Sequence, residues 1–205
     1  DDKTSVHASH SATFSQHLSN MPSHLMKLLI GATICAVATL VFICISLFTQ
    51  GWVEVDVTEI GLQVTGSSGI FPWKCVSAGT CNVFWNTADG WDFTFFFLML
   101  FAWIFQIAAL ITAFVALLVP RHRYKFMHQF CGTQTLITLF LIVELILYGI
   151  EYDRNLGTLN YIPGVSVSLA YSYWLCLVAA IFSVVTFMIA GAATKRARHH
   201  GCDYY

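Results

Sequence analysis

The chain has 205 residues, 57% of them hydrophobic and only 10% charged, with a formal net charge of −1. A soluble domain carries roughly a quarter charged residues, so the composition excludes a water-covered globule and leaves an integral membrane domain. The near-neutral total gives no basic surplus for nucleic acid, and its meaning lies in where the charges fall.

Residues 1–27 are polar and rich in Ser and His, with Pro22 near the end. Such a segment buries too little apolar surface to fold alone, so a disordered cytoplasmic tail is expected. His7, His10, His17 and His24 have no fixed backbone there to gather a metal, and no metal or other cofactor is expected. Four apolar stretches follow, at about 28–49, 93–119, 133–150 and 169–192. Each is near the roughly 20 residues that cross about 30 Å of hydrocarbon, and the second is long enough to tilt. The first is too long for a signal-peptide core and no small-residue cleavage site follows it, so it reads as a retained anchor helix. The fold class is therefore an all-α membrane bundle of four transmembrane helices, which satisfies every backbone amide internally. One tetraspan domain at 28–193 and a basic cytoplasmic tail at 194–205 complete the organisation.

Basic residues set the orientation. Lys27 precedes the first span; Arg121, Arg123 and Lys125 fill the short loop between spans two and three; Lys195, Arg196 and Arg198 follow the fourth. Loop 50–92 has Lys74 alone against Glu54, Asp56, Glu59, Asp89 and Asp92, and loop 151–168 has only Arg154 as a base. Both termini are thus expected in the cytosol and both loops outside. Val53, Val55 and Val57 alternate with polar neighbours, the period of a half-buried strand. Gly61, the run 66–69 and Pro72 mark turns, and Val165 and Val167 predict a further strand after a Pro163-Gly164 turn. A small extracellular antiparallel sheet drawn from both loops is expected.

Cys75 and Cys81 are the only cysteines in the two outer loops. An oxidising compartment and a loop with little core of its own predict a disulfide between them. Trp52, then Gly69-Ile70-Phe71, then Cys75 and Cys81, resembles the Trp, Gly-Leu-Trp, Cys, Cys signature of the claudin superfamily. That superfamily takes in claudins, peripheral myelin and epithelial membrane proteins, and AMPA-receptor regulatory subunits. The fit covers 28 to about 193 and is to a divergent, invertebrate-type member. Gly-Ile-Phe replaces Gly-Leu-Trp, with Trp73 available for the aromatic role, and the cysteine spacing is shorter than in claudins. The resemblance implies that the Trp and Gly-Ile-Phe residues anchor the sheet at the membrane surface, where Trp85 and Trp91 would be ordinary interfacial rings.

Inside the spans the polar candidates are Glu144 and Gln106. An acid at that depth is a functional hypothesis by default; the structural reading, favoured here, has it neutral or hydrogen-bonded to Gln106, Thr135 or Thr138. Cys131 and Cys202 flank the cytoplasmic surface as palmitoylation candidates. Asp203-Tyr204-Tyr205 resembles the PDZ-binding end of claudins. No nucleophile–base pair, phosphate loop or metal-ligand spacing gives an enzyme a foothold. Two functions are expected of such a chain. One is junction formation or adhesion at the plasma membrane through the stapled loop, with lipids, self-copies and a PDZ scaffold as partners. The alternative is an auxiliary subunit of an ion channel or receptor, to which the Tyr171-Ser172-Tyr173-Trp174 entry to span four is similar.

Overall fold

The computed structural model describes residues 23–59, 62–71, 90–119, 123–152 and 163–199. Four helices run through it: α1 (Ser23–Phe48), α2 (Gly90–Leu118), α3 (Arg123–Glu151) and α4 (Tyr171–His199). All four are long and apolar enough to cross a membrane. Each packs against two neighbours, in the ring α1–α2–α3–α4. Cys75, Cys81, Trp73, Trp85, Cys202 and Asp203-Tyr204-Tyr205, with most of the N-terminal tail, lie outside the described residues.

The third helix begins ten residues before the apolar run that announced it. Its length of 29 residues corresponds to about 43 Å, against about 30 Å of hydrocarbon, so roughly two turns extend beyond the apolar layer. These turns are held because Met127 and Phe130 continue the buried stripe through a polar stretch. Arg123 closes the α2–α3 connection. Its Nε donates to the Ala116 carbonyl at 2.8 Å and its Nη2 to Leu117 at 3.2 Å. The last carbonyls of a helix lack intrahelical donors, so a buried guanidinium there both satisfies them and opposes the helix dipole.

The inward stripes share one period. On α2 the buried positions Phe95, Met99, Ala102, Gln106, Ala109, Ala113 and Ala116 lie alternately four and three residues apart. The same spacing runs from Leu25 to Ser46 on α1, Arg123 to Glu144 on α3 and Ser172 to Ala193 on α4. A 3.5-residue period keeps a stripe facing its neighbours in a left-handed bundle. The stripes are rich in Ala, Ser, Thr and Gln, while Ile, Val and Phe prevail among the exposed large side chains. Lipid tails are as apolar as Leu, so close packing of small residues and interhelical hydrogen bonds hold such bundles together.

Above one end sits a three-stranded antiparallel sheet, ordered β2–β1–β3, of β1 (Val53–Glu59), β2 (Leu62–Ser68) and β3 (Val165–Leu169). The valine alternation is realised: Val53 and Val167 are buried toward the bundle, whereas Glu54, Ser166 and Ser168 are exposed. Pro163-Gly164 forms the expected turn, with Gly164 at φ 84°, a value that suits glycine. Gly66, Ser67 and Ser68, expected as a turn, instead complete β2, because pairing with Val55, Glu54 and Val53 overrides their weak strand preference. Charge is segregated by end. Among the described side chains, Lys27, Arg123, Lys125, Lys195 and Arg196 gather away from the sheet, and Glu54, Asp56, Asp92 and Glu151 gather beside it.

Candidate functional site

Trp52 is the joint between bundle and sheet. Its side chain is fully buried, and its indole Nε1 donates to the Ser46 carbonyl at 2.7 Å. That carbonyl belongs to the last turn of α1, where a donor from outside the helix is required. The Trp52 backbone meanwhile serves the sheet: its N–H donates to Ser68 and its carbonyl accepts from Ala170, each at 3.0 Å. One residue thus hydrogen-bonds to α1, to β2 and to the segment joining β3 to α4. The Trp52 ring packs on Tyr148 at 4.7 Å and on Tyr173 at 6.2 Å, and Phe95 meets Tyr148 at 5.1 Å. These rings come from α2, α3 and α4, so all four helices meet beneath the sheet.

The Gly69-Ile70-Phe71 segment is the second attachment. Gly69 passes so close to the end of α1 that a Cβ there would lie 2.6 Å from the Thr49 carbonyl oxygen and 2.7 Å from the Gln50 Cα. Ile70 is buried in the main core. Phe71 packs on Phe48 at 5.2 Å and Phe96 at 5.9 Å, and Phe48 meets Trp103 at 5.8 Å. Phe71 thus takes an aromatic place at the attachment, while Trp73 lies outside the described residues. Further ties close the joint: the Ser46 hydroxyl donates to the Ser172 carbonyl at 2.8 Å, the Thr49 and Ser172 hydroxyls bond at 2.6 Å, and the Tyr152 hydroxyl donates to Val167 at 2.7 Å. Gly51 leaves the space taken by the Tyr171 ring. Trp91 is partly exposed on the first turn of α2 and stacks on Phe95, as an interfacial ring would.

The model of the family described as "Tight junction protein, Claudin-like" matches residues 21–204. The chain belongs to that family. No individual curated protein matches the chain. A claudin-like, multi-pass membrane protein thus carries its sheet on a rigid aromatic joint, with Trp52, Gly69, Ile70 and Phe71 all at the points of attachment. Sequence reasoning missed Ser46 and Tyr148, which reach the joint only through tertiary packing.

The interior of the claudin-like bundle holds a polar girdle. Gln106 Nε2 donates to the Ala36 carbonyl at 2.8 Å, and Gln134 Nε2 donates to the Ser183 hydroxyl at 3.0 Å and to Gln106 Oε1 at 3.4 Å. Thr138 and Ser183 bond at 2.7 Å. All four helices are joined in one layer, and of its members only Gln106 and Thr138 stood out in the sequence. The expected hydrogen bonds of Glu144 are not formed: Thr135 bonds the Cys131 carbonyl, and Gln106 and Thr138 belong to the girdle. Glu144 is fully buried and neither carboxyl oxygen has a hydrogen-bond partner among the described residues; Tyr148 and Cys176 lie within electrostatic reach. Leaving a buried polar group unsatisfied costs about 1–3 kcal/mol. Glu144→Met, which fills similar volume without polar atoms, is therefore expected to raise the thermal midpoint in detergent, while Glu144→Gln changes it less. A lowered midpoint for the methionine variant would mean that the carboxyl bonds to something in the folded bundle.

Cys131 is half-buried and packs against the main core from the early turns of α3. Cys44 accepts the Trp103 indole N–H at 3.2 Å, and buried Cys176 lies 3.9 Å from the Met99 sulfur. Both serve as small fillers between helices.

Proposed function

We propose that this claudin-like chain is a non-enzymatic junction or adhesion protein of the plasma membrane. Its sheet-bearing end faces outside the cell and both termini lie in the cytosol. The observation that supports this reading is the rigid mounting of a sheet built from both outer loops. A surface held in fixed relation to the membrane can meet a second copy across a gap without first ordering a flexible loop, and ordering costs affinity. The gathering of bases at the opposite end supports the orientation. Membrane lipids and self-copies are the partners; Asp203-Tyr204-Tyr205 is the segment for a PDZ scaffold, and Cys131 and Cys202 are the sites for acylation.

Expression in adhesion-null cells tests the reading through cell aggregation and freeze-fracture. Strands or enrichment at contacts is the expected result, and dispersed protein with no aggregation would overturn it. Within this proposal Cys75 and Cys81 staple the outer loop, and a disulfide of this kind contributes about 2–4 kcal/mol. Cys75→Ser is expected to insert normally but to lose most of its surface delivery or aggregation. Normal trafficking and binding by that variant would defeat the loop-centred reading. A second role, as an auxiliary subunit, draws support from Tyr171 and Trp174, which are both exposed at the entry to α4. Purification in mild detergent with mass spectrometry separates the two: self-copies and scaffolds favour adhesion, and a channel or receptor favours the auxiliary role.

A further inference from the structure

Beneath the Trp52 joint, one polar or sulfur-bearing side chain from each helix comes to the bundle interior. The Cys176 Sγ of α4 lies 3.9 Å from the Met99 Sδ of α2. The Ser46 hydroxyl of α1 is within hydrogen-bonding reach of the Cys176 thiol, and Glu144 of α3 is within electrostatic reach of it. All four residues are fully buried. The Ser46 hydroxyl is already used, donating to the Ser172 carbonyl, whereas neither Glu144 oxygen has a hydrogen-bond partner among the described residues. In the metal-free bundle Cys176 fills space, but the same placement presents a thiol and a thioether to one point. Metal–sulfur bonds of about 2.3 Å to sulfurs 3.9 Å apart would meet at an angle of about 116°. That is close to trigonal, and it leaves a third position open.

We propose that Cys176, Met99 and Glu144 form a binding site for copper(I), held by the two sulfurs with a Glu144 oxygen in the third position. Thiolate and thioether donors together select this soft ion. Zinc takes four ligands drawn from Cys, His and carboxylate, and no group of three such residues stands together among the described ones. The thiol hydrogen leaves to water as a proton when the copper–thiolate bond forms, so one positive charge replaces another and the pair stays neutral. That balance matters at this depth, because a lone buried charge is costly. The ion ties α2, α3 and α4 together below Trp52, whose indole already holds the Ser46 carbonyl of α1. The site does not depend on the adhesion reading.

The full chain, purified in detergent with ascorbate and titrated with copper(I) buffered by bathocuproine disulfonate, tests the site. The chain has seven cysteines, so the readout is the difference between wild type and Cys176→Ser. Wild type is expected to hold one more ion per chain. Copper(I) should also raise its thermal midpoint more than that of Cys176→Ser, since a ligand that binds the folded state stabilises it. Met99→Leu and Glu144→Gln should each weaken the ion by at least about tenfold, because even groups behind the ligands of a metal contribute about 10- to 100-fold. A variant that keeps Cys176 as its sole cysteine should show two sulfurs in X-ray absorption at the copper edge, the second from a thioether. Equal copper content in wild type and Cys176→Ser would overturn the proposal. So would unchanged affinity in Met99→Leu or Glu144→Gln, or retention of zinc in place of copper(I).

Discussion

Trp52→Ala is expected to destabilise the protein by about 3–5 kcal/mol, the usual cost of deleting a large aromatic side chain from a core. The site cannot collapse to fill the space. Its walls include rings from two other helices, with centroids 4.7 Å away at Tyr148 and 6.2 Å at Tyr173, and those rings are themselves held by the bundle. The substitution also leaves the Ser46 carbonyl without its indole donor, a loss of about 1 kcal/mol at a helix end that lipid and neighbouring side chains keep dry. Trp52→Phe separates the two contributions, since it retains a ring and loses the hydrogen bond. The thermal midpoint in detergent should fall most for alanine and modestly for phenylalanine. Because the backbone of Trp52 pairs with β2 and the β3–α4 segment, the alanine variant should also loosen the sheet, read as faster amide exchange at Val53–Val57 than in the helices. An alanine variant within about 1 kcal/mol of wild type would mean that the sheet is held by its other ties.

The four spans were legible in the sequence because an apolar run of about 20 residues matches the thickness of the hydrocarbon layer. Which side of each span faces inward was not legible from hydrophobicity, and the reason is the solvent. In water the buried face is the apolar one; in lipid both faces are apolar, and the contrast lies in size and polarity. The inward positions of α4, from Ser172 through Cys176, Ala179, Ser183 and Thr186 to Ala193, look weak as a hydrophobic core yet repeat at four and three residues. Small and polar residues at that period mark the stripe, Gln134 included. Arg123 was legible only as a positive charge at a loop, since its bonds to Ala116 and Leu117 depend on how α3 packs against the end of α2. Strands β1 and β3 were visible through valine alternation. β2 was hidden by Gly66, Ser67 and Ser68, which pair in the sheet because β1 is already fixed at Trp52. The joint itself was legible in part: Trp52, the Gly69-Ile70-Phe71 segment and the Tyr171–Trp174 entry to α4 stood out by resemblance, while Tyr148 read as one ring among many.

Gly69→Ala should be poorly tolerated, although it adds a single methyl group. The added carbon would sit 2.6 Å from the Thr49 carbonyl oxygen and 2.7 Å from the Gln50 Cα, both backbone atoms that no rotamer change can move. Thr49 is held in turn: its N–H donates to Ile45 at 3.1 Å and its hydroxyl bonds Ser172 at 2.6 Å. Relief must come from the other side, by lifting the exit of β2 away from α1. That lift would strain the Trp52 N–H to Ser68 bond and draw Ile70 and Phe71 from their packing. Overpacking a rigid site costs about 1–3 kcal/mol, and more where backbone must shift, so a loss near 3 kcal/mol and a severalfold fall in cell-surface biotinylation are expected. Gly31→Ala is the matched control. It lies within α1 with nothing inside 4 Å of its added carbon, and alanine in a helix interior is favoured over glycine by about 0.5–1 kcal/mol. The same chemical change should therefore act in opposite directions at the two sites. Equal tolerance would show that the contact between the β2 exit and the end of α1 yields easily, and Trp52 would then carry the attachment of the sheet alone.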